Sequence, residues 1–383
     1  MDHKDLSLNA SCVHLGELAD PIYKGAVSPL YMSSSYAYED VDIKRYPRYF
    51  NTPNQEALAK KIAGLEHCEA GLIFGSGMAA ISTAMLAFLS SGDHVVLQNT
   101  LYGGTYNFIK EEFERFGIEY TFTSGLDISD FKAAIQPNTK LIYIETPSNP
   151  LLTITDIAGV AALAKQAGLV SMIDNTFASP VNQNPANFGI DVILHSATKY
   201  MGGHSDICAG AVAASQAHID QIFRLAKNLG GSLSDYTVWL LERSIKTMGI
   251  RVAAHNQNAM EMASYLEAHP KVAKVYYPGL ASHPDHELAA SQMRGFGGML
   301  SFELASGLNA SAFQKALKLI KPSMSLAGIE STLLSPTLTS HALLGAEERA
   351  KQGIADGLIR FSVGIEESIH LKQDIDQAIA AIS

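Results

Sequence analysis

From about residue 55 onward the chain alternates two patterns of apolar positions. QEALAKKIAGLEHC spaces its apolar residues as one face of a helix, GLIFGSG is a short apolar run closed by glycines, and MAAISTAMLAFLSSG is an apolar helix stopped at Gly92. Strand-like and helix-like segments then follow in turn through DHVVLQN, TYNFIKEEFERFG, IEYTFT, LIYIETP, ITDIAGVAALAKQAG, LVSMIDN and DVILHSATK. That alternation predicts an α/β architecture with a mostly parallel sheet covered by helices. Three of the strands, ending near Glu145, Asp174 and His195, run into polar loops. In a parallel sheet such ends share one edge, and ligands bind there.

The flanks read differently. Residues 1–50 are rich in Tyr, Ser and Pro with little periodicity, which predicts an extended arm. From Ser234 to Leu266 the sequence is helix-compatible, with Gly249 as the main break. Strand signals return at GMLSFEL and LIRFSVG, alternating with the helical SAFQKALKLI and DIDQAIAAI, so a second, smaller α/β domain is expected. The division is an arm at 1–50, a main domain at 51–249 and a C-terminal domain at 250–383, and 383 residues suit two cores better than one. There is no internal repeat and no low-complexity segment.

Composition removes several classes of function. A formal net charge of -10 with only 17% charged residues gives no basic field for nucleic acid or anionic lipid. The N-terminal MDHKDLSLNASCVHLGE has no apolar core behind a basic start, and no later run is long and apolar enough for a membrane span, so a cytoplasmic protein is expected. Cys12, Cys68 and Cys208 are widely separated and form no CxxC pair, which makes them free thiols. His283 and His286 form the densest histidine cluster, but Pro284 breaks any helix that would align them, so a polar loop is expected and no metal site.

The chemistry concentrates at the predicted sheet edge. His195-Ser-Ala-Thr-Lys199-Tyr-Met-Gly-Gly-His204 follows an apolar strand, which places Ser196, Thr198 and Lys199 in the loop there. Desolvation by site walls would lower the Lys199 pKa, as an amine needs in order to form an imine with an aldehyde. A loop lysine alone is usually solvated; Asp174, ending the preceding strand in LVSMIDNTF, changes the odds. A buried carboxylate keeps a pyridine nitrogen protonated, and the pair points to pyridoxal 5'-phosphate (PLP). Gly75-Ser76-Gly77-Met78 opens a helix and can cradle a phosphate, with Ser196 and Thr198 adding hydroxyl donors. Tyr102, after the DHVVLQN strand, offers a ring to stack on the pyridine face. Arg360 is a cation inside a strand, read as a clamp for a substrate carboxylate or as a structural ion pair.

Taken together, Tyr46-Pro-Arg48 followed by Asn51-Thr-Pro-Asn54, then GSGMAAI, LYGGT, ETPSNP, DNTFASP, HSATKYMGGHSD, SLAGIES and IRFSVGIE span essentially the whole chain. With these motifs the sequence resembles the cystathionine/methionine (transsulfuration) group of fold-type I, aspartate-aminotransferase-like PLP-dependent enzymes. The resemblance implies Lys199 as Schiff-base lysine and proton shuttle, Asp174 on the pyridine nitrogen, Tyr102 stacked on the ring, and Gly77, Met78, Ser196 and Thr198 around the phosphate. It implies that Asn149, Ser325 and Arg360 hold the substrate carboxylate and the cofactor's oxygen side. Tyr46 and Arg48 would reach the cofactor phosphate of a neighbouring subunit, in dimers that pair into a homotetramer with shared active sites. The implied activity is a carbon–sulfur lyase acting on cystathionine, methionine, homocysteine or cysteine by β- or γ-elimination. The alternative is a γ-replacement transferase, a cystathionine γ-synthase or O-acylhomoserine sulfhydrylase; an aminotransferase or a non-catalytic binding module fits the motifs less well. The chain departs from the group's pattern at Arg45, Asn107, Gly104, Met324, the Asn51–Asn54 stretch and Leu338-Thr-Ser-His341, which marks a divergent branch.

Overall fold

The computed structural model describes residues 6–339, 349, 353–355 and 357–382, and resolves the alternation into two sheets. Helices α1 (Leu8–His14) and α2 (Pro53–Leu65) precede the larger one. It is built from β1 (Ala70–Phe74), β2 (His94–Leu97), β3 (Glu119–Phe122), β4 (Thr139–Glu145), β5 (Val170–Asp174), β6 (Val192–His195) and β7 (Gly210–Ala214). The strand order is β1-β7-β6-β5-β4-β2-β3, with β2 to β6 parallel to their neighbours and β7 antiparallel between β6 and β1. The three strand ends expected at one edge are adjacent in this order. Glu145 and Asp174 are register partners, as are Asp174 and Leu194.

Helices α3 (Gly77–Phe88), α4 (Gly103–Phe116), α5 (Ile128–Ala134), α6 (Ile157–Ala167) and α7 (Ser179–Asn182) lie in the connections between strands, and α8 (Gln216–Leu229), α9 (Asp235–Ile245) and α10 (Met248–Glu267) follow β7. Their ends carry recognisable stops. Thr52 and Gln55 cap α2 reciprocally, with Pro53 in its first turn; Asp156 caps α6, and Gly168, at φ +67°, closes it. The smaller sheet contains β8 (Val272–Tyr276), β9 (Met299–Leu304), β10 (Lys321–Pro322), β11 (Thr332–Leu334) and β12 (Leu358–Ser362) in the order β10-β11-β12-β9-β8. Helices α11 (His286–Gln292), α12 (Ala310–Ala316) and α13 (Ser368–Ala380) belong to this half. Its core joins Met262 and Leu266 of α10 to Phe302, Phe313, Phe361, Leu371 and Ile375.

Three details depart from the sequence reading. The arm is not extended throughout: α1 forms, and Cys12 and Leu15 enter the main core. Its anchor is Lys61, fully buried, whose Nζ donates to the carbonyls of Cys12 (2.9 Å) and Val13 (3.1 Å), a cation at a helix C-terminus. Gly249 lies inside α10 rather than breaking it; a Cβ there would sit 2.0 Å from Asn9 Oδ1, so the glycine serves the close approach of the arm. The interruption between α9 and α10 falls at Lys246 and Thr247. Strand β7, GAVAA, escapes notice because Gly and Ala are depleted in strands, yet all five of its residues are buried. Ser340 and His341 of the Leu338–His341 motif lie outside the described residues. Among the described residues no helix is long and apolar enough to cross a membrane, and no group of three or more His, Cys, Asp or Glu side chains could hold a metal ion.

Candidate active site

Strand β6 leaves the sheet at His195, and its loop returns to the sheet as β7, so both ends of the Lys199 segment are pinned. Within it, the Thr198 N–H donates to Ala209 O (3.2 Å), the Ala209 N–H to Thr198 Oγ1 (3.1 Å), and the Gly203 N–H to Lys199 O (2.7 Å). From this brace Lys199 Nζ reaches Ser325 Oγ at 2.7 Å. Behind the loop, Glu66 is fully buried; its Oε1 lies 2.5 Å from His195 Nε2 and accepts from Asn175 Nδ2 at 2.9 Å. One carboxylate therefore holds the residue after Asp174 and the residue before Ser196.

Asp174 accepts the Thr176 N–H at 3.0 Å, and Thr176 Oγ1 accepts the Ser196 N–H at 2.8 Å, which locks the ends of β5 and β6 together. Facing them is the first turn of α3. A Cβ on Gly77 would lie 2.8 Å from Ser196 Cβ, so only glycine lets the helix start come this close to the loop. Tyr102 caps α4, and its ring lies over Gly104, where a Cβ would sit 2.5 Å from Cε1. Arg360, on β12, is almost wholly buried and donates to Asn149 Oδ1 and to Ser325 O, each at 3.0 Å.

Burial sets the electrostatics. It brings the Lys199 ammonium down to about 8, assisted by the Arg360 charge and opposed by Cys208 and Asp174. It lowers Arg360 to about 10, against the opposing pull of Tyr102 and Glu145. Asp174 is pushed up by burial and held back by its bonds to Thr176 and by His195 and Lys199. Glu145 is raised well above the carboxylate range by burial and then by Asp174 beside it.

Ten of the twelve residues that the resemblance assigns to the site therefore line one cavity of about 520 Å³: Gly77, Met78, Tyr102, Asn149, Asp174, Ser196, Thr198, Lys199, Ser325 and Arg360. Tyr46 and Arg48 are not among its walls. Arg48 lies at a separate recess with Tyr49, Phe223 and Lys227, donating to Lys227 O at 2.5 Å, and Tyr46 packs edge-on against Tyr49. Ser76, from the glycine-opened turn, lines the main cavity too, as do Thr176, to which the sequence reading gave no role, and Glu145, which entered it only as a strand end. The glutamate did carry a signal, as an acid ending an otherwise apolar strand. The residues present suit PLP: an amine of lowered pKa for an aldehyde, a buried carboxylate for a pyridine nitrogen, and a glycine-opened helix start flanked by two hydroxyls for a phosphate.

Comparison with known proteins agrees with that chemistry. A family model described as Cys/Met metabolism PLP-dependent enzyme matches residues 9–380. The cystathionine γ-lyase of Bacillus subtilis (strain 168) is 46% identical over 362 residues, covering 94% of this chain and 95% of that protein. A cystathionine β-lyase of the same organism is 43% identical, covering 94% and 93%. The crystal structure of cystathionine γ-lyase from Lactobacillus plantarum complexed with L-serine superposes with a TM-score of 0.95 at 40% identity, covering 98% of this chain and 99% of that one.

Proposed function

The chain belongs to the Cys/Met metabolism PLP-dependent enzymes, and we propose that it is a carbon–sulfur lyase that eliminates the sulfur substituent from Cβ or Cγ of a sulfur amino acid. The observation that carries this reading is the convergence of Lys199, Asp174 and Arg360 on one cavity, in a chain 46% identical to a cystathionine γ-lyase. PLP bound there supplies an electron sink for the pair left on the substrate's α-carbon. Lys199 carries both the cofactor and the proton. With its pKa brought down to about 8, its amine is neutral often enough near pH 7 to take the α-proton and return it at Cγ or to the leaving sulfur.

The remaining residues orient. Asp174 would bind the pyridine nitrogen, and Gly77, Met78, Ser196 and Thr198 would take the phosphate. Tyr102 would stack on the ring. Arg360, already bonded to Asn149, presents its guanidinium to the substrate carboxylate, and Ser325 holds Lys199 Nζ in place between proton transfers.

The site is completed by a second copy of the chain in a two-fold dimer, and dimers pair into a tetramer. Arg48 stands outside its own chain's cavity, on an arm whose Ile22, Tyr23, Met32 and Tyr38 are each more than two-thirds exposed. An arm with so much apolar surface is ordered most easily against a partner. The three unpaired cysteines suit a reducing, cytoplasmic setting.

A substrate panel tests the reaction. Purified protein with PLP is given cystathionine, methionine, homocysteine, cysteine, or O-acetylhomoserine with a thiol, and keto acid, ammonia, thiol and thioether are measured. Keto acid and thiol from a single sulfur amino acid support the lyase. Thioether from O-acetylhomoserine alone would replace it with the transferase, and no product from any of them would overturn both.

A further inference from the structure

We propose that Glu145 is a positioning residue for the reaction, whose two carboxylate oxygens hold the ring-covering Tyr102 and the carboxylate-binding Asn149 in register with each other. The inference rests on the roles proposed above for those two residues. Glu145 ends β4, is almost wholly buried and lines the cavity. Its Oε2 accepts the backbone N–H of Tyr102 at 2.7 Å, and its Oε1 accepts the backbone N–H of Asn149 at 3.2 Å. One bond therefore goes to the cap of α4 and the other to the turn after β4, and these two segments meet at no other hydrogen bond among the described residues.

The side chain is itself immobilised. The Glu145 N–H donates to Gln98 Oε1 (3.2 Å), and its carbonyl accepts from Gln98 Nε2 (2.8 Å), so the residue that follows β2 fixes the backbone from which the carboxylate projects. Asn149 passes the constraint on, since its Oδ1 accepts from Arg360. A chain of bonds thus runs from Tyr102 through Glu145 and Asn149 to Arg360, linking the group over the ring to the group at the carboxylate. A buried carboxylate beside Asp174 is an expensive way to satisfy two amides, as the upward push on its pKa by burial and by Asp174 records. A neutral glutamine would avoid that cost, but the two N–H groups reach separate oxygens of Glu145, and a glutamine presents an NH2 donor in place of one of them.

Hydrogen exchange of the holoenzyme reads the two bonds directly, without reference to turnover. In Glu145→Gln, whichever way the amide turns, one N–H faces another donor, so exchange at the peptide containing Tyr102 or the one containing Asn149 should quicken by about tenfold or more. In Glu145→Ala both should quicken. The loss of position should lower kcat/KM by about 10- to 100-fold for every substrate accepted. If Glu145 acts through its two partners, the loss is non-additive with Tyr102→Ala or with Asn149→Ala, matching the peptide that exchanged faster. Unchanged exchange at both peptides, or additive losses in both cycles, overturns the proposal. Glu145→Gln keeps the volume of the native side chain, so it carries the test alone if the alanine variant does not fold. Failure of the substrate panel would leave the exchange result standing, so the two readings fail separately.

Discussion

Covalent attachment of PLP requires the neutral amine of Lys199, and the geometry of the site sets how much of it exists. An ordinary lysine at 10.5 is about 0.03% neutral at pH 7, whereas one at about 8 is about 9% neutral, a gain of roughly 300-fold. The direction is fixed by the chemistry: burial and the Arg360 charge disfavour the ammonium, so the neutral form appears at lower pH. The assay strips the cofactor, adds PLP to the apoprotein between pH 6 and 10, and follows the visible absorbance of the lysine-bound cofactor. The attachment rate should climb about tenfold per pH unit below the pKa, bend near pH 8 and flatten above it. Arg360→Met removes the second of the two causes and leaves the larger, so the bend should move upward without reaching 10.5. A rate still climbing at pH 10 in the unaltered protein would refute the claim that the cavity lowers the Lys199 pKa.

Other outcomes follow from the same arrangement. Lys199→Ala should lose covalently held cofactor, read by mass after borohydride reduction, and nearly all turnover. Arg360→Ala should raise KM by a similar factor for every amino-acid substrate, at a cost of about 2 to 4 kcal/mol; a defect confined to one substrate would mean the guanidinium does not read the α-carboxylate. Mixing Lys199→Ala with Arg48→Ala under conditions that reassort subunits should restore up to half of the sites in each hybrid dimer, and verified hybrids without activity would assign Arg48 to its own chain. Met324→Glu, at a side chain that is exposed at the cavity wall, should shift preference toward cystathionine over methionine, measured as the ratio of kcat/KM values.

The legible parts of this molecule are those in which local pattern and tertiary environment agree. The ends of β4, β5 and β6 were readable because short, mostly apolar and mostly buried runs stop abruptly at polar residues, and the parallel arrangement then brings those stops together. Lys199 and Asp174 were readable as chemistry because each follows such a run. Lys61 was not: its spacing from Leu58 and Leu65 puts it on the apolar face of α2, but a lysine there can turn its amine out to water, and what holds it in is the carbonyls of α1, far away in the chain. The place of Glu145 was hidden for a related reason. Its partners are backbone amides, which every residue possesses and no sequence displays.

The antiparallel strand β7 has a consequence for the order in which the molecule can form. Among the described residues the one strand that pairs with β1 is β7, from Ala70 with Ala214 to Phe74 with Gly210. During synthesis the first strand made must wait for the last, while β2 to β6 can assemble as an unbroken parallel unit in between. Closing so long a segment is entropically costly and is rewarded only when β7 arrives with β6 already in place. Until then β1 presents an unpaired apolar edge, AGLIF, the kind of segment that seeds association between nascent chains. The Lys199 loop immediately precedes β7, so the cofactor-binding segment acquires its brace in the same event that seals this edge. Truncations ending before Gly210 should therefore aggregate rather than yield a smaller soluble unit, and cofactor capture should coincide with the last step of sheet closure.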